Sequence, residues 1–358
     1  MTCTGKDVSV GQNKQFDIPM IETVAQLEDK LSEPTPKVIQ AMAELDGDIL
    51  ILGAAGKMGP NLAQMAARAV QLAGVEKRIT AVARKVSSEI KESFDRFGIE
   101  IISADLFDKE ALSALPDSKN VMFMAGKKFG STGDEWNTWA INTYLPGLVA
   151  ERFADSRIVV FSTGNVYPMT PVAHGGASED CPPAPVGEYA QSCLGRERIF
   201  EYFSIKNGTP CLIYRLCYAV ELRYGIVLDI AQKVYSGQPI DLTMGHAVAI
   251  WQGDAVAQAL RCFALCQSPP LKLNITGPET LSIRWLALEL GRYLGKEPIF
   301  EGEEAETAFI FNASLVQELF GSPTVPLGWI VRWVAHWLKI GGITHNKPTH
   351  FEQREGKY

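Results

Sequence analysis

The chain has 358 residues, 46% of them hydrophobic and 21% charged, with 34 Lys plus Arg against 41 Asp plus Glu for a net charge of −7. This composition excludes a disordered chain and a disulfide-stapled miniprotein, and the length supplies ample core for one large domain or two interlocked ones. The acidic balance argues against a nucleic-acid partner and against docking on acidic membranes.

The first 17 residues are polar and read as loose. MTCTGKDVSV lacks the apolar core of a secretory signal, and no run of about 18 apolar residues occurs, so a cytoplasmic location without a membrane partner is expected. Helical spacing of Met20, Val24, Leu27 and Leu31 predicts a helix over 20–32, and Pro36 opens a second, PKVIQAMAEL. Apolar runs predict parallel strands at 48–52, 79–83, 99–103, 121–125, 158–162 and CLIYRL, with helical stretches between them, among them 57–73 and 188–203. Beyond residue 216 the pattern loosens, and SGQPID and SPPLKLNITGPETLS read as loops. Trp329, Trp333 and Trp337 share a face of a C-terminal helix expected to pack on the core, and THNKPTHFEQREGKY reads as a flexible tail. The seven cysteines (Cys3, Cys181, Cys193, Cys211, Cys217, Cys262 and Cys266) contain no CxxC pair and read as thiols of a reducing compartment, with no metal site.

Chemistry begins at Gly53, Gly56 and Gly59, a GxxGxxG directly after a strand and directly before a helix. In that context the pattern is a dinucleotide turn, with Lys57 and Met58 inside it and a helix N-terminus presented to a pyrophosphate. The next strand ends in Arg84 and Lys85, with no acid between 77 and 88, which favours NADP over NAD. Asp105, in SADLFD, offers an acceptor to adenine, or else a helix cap.

GxxGxxG, Asp105-Leu106, Asn142 in INTYLPGLV, FSTGNVY at 161–167 and YAQSCLGRE at 189–197 occur in one order. Together they resemble the extended short-chain dehydrogenase/reductases, the NAD-dependent epimerase/dehydratase family, over about 48–340. The resemblance implies a doubly wound α/β Rossmann sheet with a smaller C-terminal substrate lobe. The organisation expected is an N-terminal helical extension (1–47), a dinucleotide-binding domain (48–215), a substrate lobe (216–345, with about 247–270 returning to the core) and the tail (346–358). It further implies that Thr163 hydrogen-bonds the reacting oxygen, that Tyr189 is the catalytic tyrosine, and that Asn142 is a structural or relay position. Leu106, Ala125 and Gly126 fall at cofactor-contacting positions, and a homodimer through two long helices (about 135–154 and 188–203) is the family's habit.

One departure is decisive: the family's YxxxK lysine is Cys193 here. Lowering a tyrosine from its ordinary pKa near 10 toward neutrality takes about 2–3 units, or roughly 3–4 kcal/mol, which a neutral thiol cannot supply. Three readings stay open. Another cation substitutes: Lys127 or Lys128, in MAGKKFG, or Arg196 two turns along the helix. Alternatively Tyr189 acts as a protonated donor, or the chain binds dinucleotide as a silent sensor or scaffold. Cys193 as a nucleophile is disfavoured by its mid-helix position.

On the substrate side, Asp254 matches the family, but Ala247 stands where nucleotide-sugar enzymes carry Arg. Losing that diphosphate clamp points to a small sugar, polyol or sugar acid. Lys128, Asn165 and Arg223 are the candidate substrate contacts, with Arg223 and Lys127 able to bind a carboxylate; Arg223 is equally readable as a structural ion pair. His174 and His246 read as a loop residue and a strand cap. The leading expectation is an NAD(P)-dependent oxidoreductase or epimerase on a small carbohydrate-like substrate.

Overall fold

Four consecutive apolar residues, Ile49–Leu52, form β1, buried along its whole length as a strand covered on both faces must be. The computed structural model describes residues 19–357, so the loose segment expected at 1–17, with Cys3, lies outside the described residues. β1 joins β2 (Ile79–Ala83), β3 (Glu100–Ser103), β4 (Asn120–Phe123), β5 (Arg157–Thr163), β6 (Cys211–Leu216) and β7 (Leu271–Ile275) in one sheet. All neighbours are parallel, in the order β7-β6-β5-β4-β1-β2-β3. The strand order reverses between β1 and β4, which opens a crevice at the strand C-termini. This is the expected doubly wound Rossmann sheet. The expected loop SPPLKLNITGPETLS contains β7, and SGQPID contains a short strand at Pro239–Asp241. Neither run is long enough to show a period, and pairing with a neighbour decides both.

Helices cover both faces. α1 (Val24–Leu31) and α2 (Pro36–Glu44) precede the sheet, each begun by a threonine cap. α3 (Gly59–Ala73) and α4 (Ser88–Arg96) pack one face with α2 through Val38, Leu62, Met65, Ala66 and Phe94, while Leu72 is exposed. The other face is covered by α5 (Lys109–Ser113), by α6 (Glu135–Trp139) continuing through a π turn (Ala140–Tyr144) into α7 (Leu145–Arg152), and by α8 (Gly187–Asn207).

The remaining helices are α9 (Ile226–Ser236), α10 (Gln252–Arg261), α11 (Ile283–Leu294), α12 (Ser314–Phe320) and α13 (Leu327–Lys339). α10 packs with α2 and α3 on the sheet, whereas α9, α11 and α13 build a separate lobe core that includes Leu27 and Leu31 of α1. Trp333 and Trp337 are buried in that lobe. Residues 346–357 are not a loose tail. Phe351 and Thr349 are buried, Thr349 donates twice to the Asp229 carboxylate, and the Arg354 guanidinium donates to the carbonyls of Thr243 and Thr307. Among the described residues, no helix is long and apolar enough to cross a membrane, and no cluster of three His, Cys, Asp or Glu could hold a metal.

Candidate active site

Two adjoining cavities, of about 270 and 580 Å³, occupy the crevice and share Gly53, Gly56 and Met124. The glycine turn between them has little room. Gly53 adopts φ +88°, and a Cβ there would lie 2.7 Å from the Ala125 nitrogen. A Cβ on Gly59 would fall 2.3 Å from the Ala54 carbonyl oxygen, so only glycine lets α3 start this close to β1. No side chain caps the N-terminus of α3, where the Gly59 amide donates to the Gly56 carbonyl at 3.1 Å and Pro60 carries no N–H, so that terminus offers a ligand the positive end of its dipole. These features fit a dinucleotide pyrophosphate.

The outer cavity is lined by Arg84, Lys85, Asp105, Leu106, Ala125 and Gly126. Arg84 and Lys85 are both exposed to it. Asp105 accepts the Phe107 amide at 3.0 Å in a local turn; the cap of α5 is Asp108.

The inner cavity brings Thr163, Asn165, Tyr189 and Lys128 against Lys57, Met58 and Gly59. Thr163, at the end of β5, donates to Asn165 Oδ1 at 3.0 Å and accepts the Asn165 amide at 3.2 Å. Tyr189 lies in the first turn of α8. That helix is held to the sheet by a fully buried network. The Glu197 carboxylate takes Arg215 Nη2 at 2.7 Å and the Ser162 hydroxyl at 2.6 Å. Arg215 also donates to the Tyr167 hydroxyl, which donates in turn to Asn274 Oδ1 at 2.9 Å.

Cys193 is buried one turn beyond Tyr189, and the lost hydration of a thiolate pushes its pKa up, against the pull of Arg196 and the Tyr189 hydrogen bond. It is therefore a neutral thiol. Lys127 does not take over the missing charge: its ammonium pairs with Asp134, and it lines neither cavity. Charge attraction turns it outward, while Lys128 turns inward, 5.9 Å from the Tyr189 ring centroid. Burial lowers the Lys128 pKa to about 8, against the pull of the Asp229 carboxylate. Arg196, the third cation considered, is buried under Gly126, with Nη1 on the Phe161 carbonyl at 2.6 Å and Nη2 on Asn142 Oδ1 at 2.7 Å. Asn142 sits in the π turn and joins the parts: its Oδ1 also accepts the Lys127 amide at 2.9 Å, and its Nδ2 donates to Ser192 Oγ at 3.0 Å.

Lys57 crosses the crevice. Its Nζ donates to the Ala219 carbonyl at 3.1 Å and sits 3.9 Å from the Tyr224 ring centroid. The side chain is accessible from the crevice, yet protein surrounds its head, and removal from water lowers its pKa to about 7 against the pull of Glu221. Arg223 lines neither cavity; it is the structural ion pair, 2.7 Å from Glu28 and 3.1 Å from Glu221. His174 is exposed in a short helical turn away from both cavities, and His246 lies in a two-residue strand. Sequence reasoning missed Tyr218, Tyr224, Phe311 and Thr349, which also line the inner cavity. Tyr218 stands at φ +49°, a region costly for a non-glycine residue. None carries a local motif, and Thr349 arrives from the far end of the chain.

No curated protein matches the chain. Among solved structures, UDP-glucuronic acid 4-epimerase from Bacillus cereus, in complex with a UDP-sugar acid analogue and NAD, superposes with a TM-score of 0.66 at 17% identity, over 82% of this chain and 99% of that one. UDP-glucose 4-epimerase from Thermus thermophilus, complexed with NAD, gives 0.65 at 18%, and Pal from Bacillus thuringiensis gives 0.67 at 18%, each over 82% of this chain and 99% of its own. Identities this low speak to the fold. The profile of the NAD dependent epimerase/dehydratase family matches residues 49–243, from β1 past α9, which is more than half of the sequence and spans the glycine turn, Thr163 and Tyr189. The chain belongs to the NAD dependent epimerase/dehydratase family.

Proposed function

We propose that the chain is an NAD(P)-dependent oxidoreductase or epimerase acting by hydride transfer on a small sugar, polyol or sugar acid, with Thr163 and Tyr189 at the reacting oxygen. One observation carries this reading: both side chains line the cavity that opens directly from the glycine turn. When bound, the nicotinamide dinucleotide supplies the hydride acceptor and donor. Thr163 orients the substrate oxygen, exchanging its Asn165 partner for the substrate. Tyr189 gives or takes the proton of that oxygen. Lys128 brings the positive charge that Cys193 lacks. Charge at Arg84 and Lys85, with no acid between residues 77 and 88, supports NADP over NAD. Ala247, buried and paired with Leu281, supports a substrate without a nucleoside diphosphate.

The test is turnover of a panel of sugars and sugar acids, followed by nicotinamide absorbance with each coenzyme. Tyr189→Phe is expected to lower kcat by about 10²-fold or more. An unchanged rate removes Tyr189 from the chemistry. The rival, a dinucleotide-binding protein without turnover, draws its support from Cys193; coenzyme binding with no turnover of any panel member favours it. A homodimer through α6–α8 is supported by exposed Trp136 and Tyr144, which line one groove with Ile199 and Phe203 of α8. A monomeric mass by light scattering would rule the dimer out.

A further inference from the structure

Two ammonium groups reach the cavity that holds Thr163 and Tyr189: Lys57 from the glycine turn and Lys128 from the loop after β4. Among the described residues lining that cavity, none is Asp or Glu. The two lysines repel each other's charge, and Arg223 adds to the field at Lys57. The compensating acids stand outside the cavity lining and are already engaged. Glu221 is buried, bonded to Arg223 at 3.1 Å and to His345 at 3.3 Å. Asp229, which attracts Lys128, accepts from the Thr349 amide and hydroxyl. Tyr224, the aromatic floor under Lys57, is held neutral by burial. An ammonium carries three donors, and Lys57 spends one on the Ala219 carbonyl. Like charges lining one cavity repel, and an anion between them relieves the repulsion.

We propose that Lys57 and Lys128 form a carboxylate-binding subsite in the inner cavity, so that the substrate is a sugar acid rather than a neutral sugar or polyol. This deepens the functional reading above and rests on it for the identity of the cavity. The carboxylate belongs to the substrate because Lys57 points away from the turn, toward Ala219 and Tyr224. A coenzyme diphosphate is met by the glycine turn and by the positive end of the α3 dipole. Bound carboxylate favours the protonated lysines, so binding takes up protons near neutral pH. Affinity is then highest below about pH 7 and falls as the pH rises through about 7 and 8, the pKa values of Lys57 and Lys128.

Calorimetric titration of the full chain, saturated with NAD or NADP, decides the matter. The probes are D-gluconate and D-glucuronate against D-glucose and D-glucitol. The acids are expected to bind at least about tenfold more tightly than their neutral counterparts near pH 6.5, a preference that fades near pH 9. Lys57→Met should abolish the preference and Lys57→Arg should keep most of it; thermal unfolding verifies that both variants fold. Equal binding of acids and neutral sugars overturns the subsite, as does failure of both acids to bind. A preference that survives in Lys57→Met/Lys128→Met overturns it too. So does a Lys57→Met variant that loses coenzyme affinity while keeping the acid preference, since the lysine would then serve the diphosphate. Because the readout is binding, Tyr189→Phe should retain the acid preference. Loss of turnover in that variant, or its absence throughout, speaks to the catalytic reading alone.

Discussion

On the function proposed above, Lys128 supplies the charge that the thiol of Cys193 lacks. The thiol occupies the helical position and stays neutral because burial disfavours its thiolate. The ammonium comes from a loop and faces the Tyr189 ring from the cavity side. Lys128→Met is therefore expected to lower kcat by about 10²-fold, with coenzyme affinity within about threefold of the parent. Lys127→Met, whose charge is spent on Asp134, should fall far less. The pH profile follows from the sign of the shift. The fold lowers the Lys128 pKa to about 8, so its charge is present below that value and lost above it. The kcat limb that depends on it should decline as the pH rises through about 8 and vanish in Lys128→Met. Lys57 obeys the same rule in stability. Its proton is held less tightly in the folded chain than in the unfolded one. Its contribution to stability therefore rises with pH between about 7 and the ordinary lysine value near 10.4, and Lys57→Met should flatten that rise in thermal unfolding.

At the scale of elements, the placement of α8 governs the site. Its first turn carries Tyr189, and its middle is bolted to β5 and β6 by Glu197, Arg215 and Ser162, buried to 0–1% exposure for the ion pair. A buried pair adds little net stability over an apolar substitute, but removing one partner strands the other charge. Glu197→Gln should cost about 3–5 kcal/mol in chemical denaturation. A cost below about 1 kcal/mol would mean that Arg215 finds another acceptor. The π turn at Ala140–Tyr144 is the second such device. It delivers Asn142 to a point where the Lys127 backbone, Arg196 and Ser192 all meet it. Irregular helix turns of this kind accompany functional sites.

For the whole molecule, α1 and the C-terminal segment, near the two limits of the described residues, both pack into the lobe core. α1 supplies Leu27 and Leu31 to the lobe core and Glu28 to Arg223. The C-terminal segment returns across α9, buries Phe351, and runs Gly356 against Val186 and Gly187 at the start of α8. It thus touches both the lobe and the helix that carries Tyr189. Phe351→Ala should cost about 3–5 kcal/mol in denaturant unfolding, since a buried aromatic leaves a cavity that the lobe cannot fill. A cost under about 1 kcal/mol would mean that the segment contributes little to the fold.

The sheet, the helices on it and the phosphate turn were legible in the sequence, because continuous apolar runs, helical spacing and glycine punctuation are local signals that survive any tertiary context. Position within motifs singled out Thr163 and Tyr189, which line one cavity, and Cys193, buried one turn beyond. Three matters were settled only by the tertiary structure. Two adjacent lysines in one loop face opposite ways, since Asp134 attracts one and the cavity admits the other. An arginine that could have met substrate is consumed by Glu221, two residues before it, and by Glu28, which joins it only when the N-terminal helix docks. A segment polar enough to read as a tail is fixed by one aromatic ring and a threonine against Asp229. Which partner a charge meets depends on how loops turn and which distant elements dock, and the periodicity of a sequence carries no record of that meeting.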